Sequence, residues 1–351
     1  MKPFMASPFG RLNDLLTRVV LLLVLLAFAS VGQAQVGGAF AGRGDPNIRA
    51  TLVAETNRAP AGSTVTLALV MRPEAGWHGY WENPGDAGQG MRVEWEAPAE
   101  LARQPKYGPF RYPVPERLVI AGLMNHVFEH EYAVLLDVTL PKNLEPGTVI
   151  PIRGQAQWLA CTDTICVPEQ GEVATTLTVG NGEASADSRQ LFDRFRAALP
   201  RPLDQDARYA ISGDTLTLAV PYPAAAPVGE PWFFASTPDR VRYAEPQRAR
   251  RNGDWLVIDT ALAEDAAQAG PIEGVLALTN DVALQIRALP GAVPTGGEPL
   301  DAASAVSGDR TATATLKLGQ VLLILGGAFL GGLILNILVH AVEWKMMCLN
   351  L

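Results

Sequence analysis

Trp158-Leu159-Ala160-Cys161-Thr162-Asp163-Thr164-Ile165-Cys166-Val167-Pro168-Glu169 holds two of the chain's three cysteines, five positions apart. A strand-like run, residues 149–160, leads in, and a second, residues 172–179, leads out. The segment between the sulfurs is short and polar, so the natural reading is two antiparallel strands turning back on themselves. Such a hairpin brings its mouth residues within reach of the roughly 5.5–6 Å Cα separation that a disulfide prefers.

Working outward, residues 48 to about 179 read as all-β. Residues 49–55 alternate, residues 64–71 are a β-branched run flanked by Pro/Gly turns, and residues 91–95 and 133–139 follow. Short strands without helical period predict a mainly β fold with an antiparallel sandwich. Two stretches stand out as loops. Gly76-Trp77-His78-Gly79-Tyr80-Trp81-Glu82-Asn83-Pro84-Gly85-Asp86 is dense in aromatics, and Ala121-Gly122-Leu123-Met124-Asn125-His126-Val127-Phe128 is apolar. Either is a hydrophobic plug under a long connection or a lid over the cysteines.

Residues 181–200 read as a linker carrying a short helix, with Leu191, Phe192, Phe195 and Leu199 at helical spacing. Residues 201–290 return to short strands and predict a second, smaller, cysteine-free β domain acting as a spacer or docking unit. Residues 291–315 are a Pro/Gly/Ala/Ser linker.

The two ends place the chain in a compartment. Lys2, Arg11 and Arg18, the apolar residues 19–28 and the small residues up to Gly32-Gln33-Ala34 predict a signal peptide over residues 1–34, followed by a lead-in at 35–47. Residues 318–339 carry no charge, which predicts one transmembrane helix within residues 316–340 and an inner tail at 341–351 containing Cys348. Outside the cytoplasm, paired cysteines oxidise. The net charge of -8 argues against a nucleic-acid partner, which needs a basic face.

The cysteine pair has three readings. It is a structural staple, half of a metal site, or a disulfide that opens and closes. The metal reading would recruit His126 and His130. On an extended segment those two lie roughly 13 Å apart, so no metal or other cofactor is assigned. For the redox reading, Trp77, Tyr80, Trp81 and Trp158 would hold solvent off the pair. Asp163 would disfavour a thiolate, while Glu169 reads as a solvated turn residue.

Gly79-Tyr80-Trp81-Glu82-Asn83-Pro84-Gly85-Asp86, Pro113-Val114-Pro115-Glu116-Arg117 and the Trp158–Glu169 stretch resemble the periplasmic N-terminal domain of DsbD-type thiol:disulfide interchange proteins, nearest to the suppressor-of-copper-sensitivity branch. The likeness covers most of residues 48–180, and residues 318–336 resemble the start of that family's membrane domain. It implies that the sandwich is immunoglobulin-like, with protein-disulfide reductase chemistry at Cys161 and Cys166, fed by a membrane relay and serving periplasmic thioredoxin-fold proteins such as disulfide isomerases and cytochrome c maturation thioredoxins. It also implies a cap over the pair, which by position falls to residues 123–128, with Leu123 and Phe128 at its ends. After Asn336 the sequence departs from the family. Ile337-Leu338-Val339-His340-Ala341 lacks the Pro-Cys motif that opens the relay, and neither the further helices nor the thioredoxin-like domain follows. The expectation is a frameshifted or truncated product, anchored in a bacterial inner membrane with its bulk in the periplasm.

Overall fold

A computed structural model describes residues 45–99, 101–264, 266, 270–279 and 282–300. The expected signal peptide, transmembrane helix, tail and Cys348 lie outside the described residues. Among those described, no helix is long and apolar enough to cross a membrane.

The first unit contains β1 (Ile48–Ala54), β2 (Thr64–Pro73), β3 (Gly79–Gly85), β4 (Arg92–Trp95), β5 (Lys106–Tyr107), β6 (Glu116–Ile120), β7 (Leu123–Phe128), β8 (Tyr132–Thr139), β9 (Val149–Cys161) and β10 (Cys166–Thr178). They form an antiparallel sandwich. One sheet runs β1-β2-β8-β5 and the other β10-β9-β4, and β3-β7-β6 form a third. The period of two along each strand sorts side chains between layers. Leu67, Leu69 and Met71 of β2 and Val134, Leu136 and Val138 of β8 meet Ile150, Ile152, Trp158, Val173 and Leu177 in the main core. The intervening Ala68, Val70, Ala133 and Leu135 face the other way, against Phe192. This explains why β2 and β8 read as nearly continuous apolar runs: both of their faces are covered.

Phe192 belongs to α1 (Ala186–Ala197), capped by Ser185, whose Oγ accepts from Ser188 N–H at 3.1 Å. Arg194 and Arg196 close its last turn, where cations suit the helix dipole. The segment read as a linker with a short helix is thus packed onto the sandwich.

The second unit comprises β11 (Arg201–Pro202), β12 (Ala207–Ser212), β13 (Thr215–Pro221), β14 (Trp232–Ala235), β15 (Arg248–Asn252), β16 (Trp255–Ala261), β17 (Ile272–Thr279), β18 (Val282–Pro290) and β19 (Glu298–Leu300). Its sheet runs β14-β17-β18-β12-β13-β16-β15-β19, with β11 pairing to β18. Because β19 pairs with β15, this unit reaches into the stretch read as the 291–315 linker. One apolar cluster runs through both units, joined where β14 meets β3 and β7.

Both stretches read as loops contain strands. Residues 76–86 supply β3, and residues 121–128 supply β7, which turns at Ala121-Gly122 to pair with β6. Their periodicity was masked because β3 and β7 are largely buried on both faces, so polar residues do not alternate with apolar ones.

Candidate functional site

Cys161 ends β9 and Cys166 begins β10, and the two stand directly opposite each other. Thr162 N–H donates to Ile165 O at 2.8 Å, leaving Asp163 and Thr164 as the tip of the hairpin. Thr162 Oγ1 also accepts from the N–H groups of Thr164 and Ile165, both at 3.2 Å, so the tip is internally tied. The main-chain groups of Cys161 point away from Cys166. Its N–H and C=O both bond to His78, at 3.1 and 2.8 Å. The cysteines therefore occupy a non-hydrogen-bonded position, where opposed Cα atoms approach most closely. Their Cα separation is 4.1 Å, tighter than the spacing expected from sequence, and a disulfide joins them.

The two sulfur-bearing residues differ in access. Cys161 is 0% exposed, whereas Cys166 is exposed and flanked by exposed Ile165 and Val167. Along β9 the even-numbered residues face the main core, while Arg153, Gln155 and Gln157 face solvent. Cys161 has the phase of the solvent face. It is buried because the β3-β7-β6 sheet closes over that end of the hairpin. Tyr80, Leu118 and Val127 pack with Cys161, and Ile120 and Leu159 pack around them. Burial pushes the Tyr80 phenol up to about 12, so it stays neutral. A Cβ on Gly88 (φ 102°) would collide with the Tyr80 ring, so glycine there lets the ring lie flat against the backbone.

The back of this cover sheet meets the second unit. The Trp81 ring lies 6.1 Å from that of Phe234. The His126 imidazole is 5.1 Å from Phe234 and 5.4 Å from Tyr243. Asn83 Nδ2 donates to Ala235 O at 2.6 Å, and Ser236 Oγ donates to Glu82 Oε1 at 2.7 Å. The Arg117 guanidinium lies 4.3 Å over the Trp232 ring. The second unit therefore backs the sheet that covers Cys161.

The residues singled out from sequence are divided by this geometry. Tyr80 is against Cys161. Trp81, one residue on, faces the second unit. Trp77 is half-buried and lines a surface pocket of about 490 Å³ with His78, His130 and Asp163. Of the stretch 123–128, Val127 packs on Cys161, while Leu123 is 48% exposed and Phe128 stacks on Tyr132 in the main core at 4.1 Å. Trp158 is also in the main core.

His126 and His130 do not converge. His126 is buried in β7 with Nδ1 2.9 Å from Asn83 O, while His130 is exposed beyond the end of β7. Burial drives His126 down to about 4, against a partial rise from the Asn83 contact.

Glu169 differs from its reading as a solvated turn residue. Its carboxylate accepts from four donors: Asn47 N–H at 2.7 Å, Asn47 Nδ2 at 2.8 Å, Ile48 N–H at 3.1 Å and Trp158 Nε1 at 2.8 Å. It ties the start of β1 to the cysteine hairpin. Glu169→Ala should lower stability by about 2 kcal/mol, measured by urea unfolding, because four part-buried donors lose their acceptor. An unchanged midpoint would show that water replaces the carboxylate without cost.

Residues 49–178 match the family model described as thiol:disulfide interchange protein DsbD, N-terminal, and this stretch is a DsbD-type N-terminal domain. No curated protein matches the chain. Among solved structures, the N-terminal periplasmic domain of ScsB from Proteus mirabilis aligns at 16% identity, covering 68% of this chain and 90% of that one, with a TM-score of 0.49. The YadV chaperone aligns at 7% identity over 69% of this chain and 98% of its own, with a TM-score of 0.20. The periplasmic chaperone SfaE aligns at 9% identity over 68% and 100%, with a TM-score of 0.19.

Proposed function

We propose that this chain, through its DsbD-type N-terminal domain, is an exported, membrane-tethered thiol–disulfide exchange module that passes electrons from the Cys161–Cys166 pair to thioredoxin-fold proteins of the periplasm, fed by a membrane relay. The observation that supports it best is the unequal access of two bonded sulfurs, one enclosed and one at the surface. In the reduced state the Cys166 thiolate attacks a partner disulfide and forms a mixed disulfide. Cys161 then attacks Cys166 Sγ, the intramolecular bond closes, and the partner leaves with both electrons.

The hairpin supports the second step. Its ladder and tied tip keep the opposed residues together after the bond opens, so the resolving thiol acts at a high effective concentration. The cover sheet and the second unit hold Cys161 away from stray oxidants until that step. In this reading the second unit is a brace for the cover, a more specific part than a spacer.

Equilibration of the full-length chain with glutathione or dithiothreitol buffers tests the proposal. The Cys161–Cys166 couple should titrate between about −180 and about −270 mV, the range of exchange-active pairs. A potential below about −300 mV would mark a permanent staple and overturn the reading.

A further inference from the structure

His78 stands opposite Cys161 on the edge of β9 that β10 does not occupy. Its N–H donates to Cys161 O at 2.8 Å and its C=O accepts from Cys161 N–H at 3.1 Å, which makes the two a hydrogen-bonded antiparallel pair. Directly opposed side chains share one face of a sheet, with Cβ atoms about 4.5–5.5 Å apart. Cys166 opposes Cys161 from the other edge. His78, Cys161 and Cys166 thus form one row across the sheet, on the face that the cover sheet closes. His78 is 2% exposed, and its ring stands edge-on to Tyr80 at 5.4 Å, the same Tyr80 that packs on Cys161.

We infer that His78 is the proton-transfer residue for the Cys161 sulfur during exchange. The inference rests on the exchange reading above and adds a residue to it. When the thiolate of a reductant attacks Cys166 Sγ, a bond forms between those sulfurs, the Cys161–Cys166 bond breaks, and its electron pair goes to the Cys161 sulfur. A bare thiolate enclosed by Tyr80, Leu118 and Val127 is strongly disfavoured. Proton donation from the His78 imidazolium turns it into a neutral thiol, which the enclosure tolerates. In the opposite direction the neutral imidazole removes the proton from Cys161 as its sulfur attacks Cys166 Sγ, and the partner departs as a thiolate.

Imidazole is the side chain whose ordinary titration lies near neutrality, so it serves both directions. His78 also lines the surface pocket, through which a proton reaches solvent. The other titratable groups facing that pocket are Glu129, His130 and Glu131 from the β7–β8 turn and Asp163 from the hairpin tip. On its own segment His78 has the neutral Tyr80.

The test is the rate of reduction of the full-length chain by dithiothreitol, read by quenched maleimide labelling from about pH 5 to about pH 9 and divided by the concentration of reductant thiolate. In the wild type this corrected rate should fall at least about tenfold as imidazolium is lost. In His78→Gln it should be flat, and at the acid end at least about tenfold below wild type. A variant that is slower but keeps the wild-type pH shape would assign His78 a purely structural part and overturn the inference. Should the variant fail to fold, the wild-type profile decides, since a flat corrected rate overturns the inference by itself. No reduction at any pH would instead remove the exchange reading on which it stands.

Discussion

In a Cys348→Ser background, Cys161→Ser should leave a Cys166 that a water-soluble maleimide labels at the rate of an exposed thiol. Cys166→Ser should leave a Cys161 labelled on the order of 10²-fold more slowly. The difference follows from enclosure. Cys166 lies at the surface between Ile165 and Val167, whereas Cys161 is 0% exposed beneath Tyr80, Leu118 and Val127. A reagent reaches Cys161 only when the cover opens, and each 1.4 kcal/mol of opening free energy slows labelling about tenfold. The same asymmetry fixes which variant traps a partner. Cys161→Ser should accumulate a mixed disulfide through Cys166, visible as a reductant-sensitive adduct on non-reducing gels, and Cys166→Ser should not. Equal labelling of the two variants would mean that the β3-β7-β6 sheet does not guard the site in solution.

The second large effect is a loss of stability in acid that originates at His126. Its folded-state value is pushed from 6.5 to about 4 by burial among Trp81, Phe234 and Tyr243. Between those two pH values the unfolded chain binds a proton that the folded chain refuses. Stability is therefore fully present above about 6.5 and is lost as the pH falls toward about 4, by roughly 3 kcal/mol. Carboxylates add their own acid dependence, so the informative quantity is a difference between variants. Urea midpoints of wild type and His126→Gln, compared at neutral pH and near pH 4.5, should show a shallower loss in the variant. Parallel losses would place the acid sensitivity elsewhere. His126 sits at the back of the sheet whose front covers Cys161, so the same acidification should speed labelling of Cys161 in the Cys166→Ser chain.

The cysteine hairpin was legible because its information is local. Two cysteines around a polar tip, between runs of strand-forming residues, define the pairing register, and the register defines the bridge. The strands at residues 64–71, 133–139 and 149–160 were legible for the same reason, since their β-branched and apolar runs are bounded by turn residues. Loops were read where strands exist at Gly79–Gly85 and Leu123–Phe128. Those strands are buried on both faces by distant partners, one face by the hairpin and the other by β14, so neither shows alternation. Glu169 looked solvated because three of its four donors come from Asn47 and Ile48, more than a hundred residues away. His78 escaped notice because its significance lies in a two-bond pairing to Cys161 that no spacing in the chain reveals.

What the amino-acid sequence determined by itself is the β character of both units, the cysteine hairpin and the chemistry that two neighbouring sulfurs can perform, because each depends on residues close together along the chain. Only the tertiary structure decided which sulfur is enclosed. Cys161 occupies the phase that faces solvent elsewhere on β9, and its burial arises from a separate sheet laid over it and held from behind by the second unit. Side-chain alternation tells which residues share a face; it cannot tell what will cover that face.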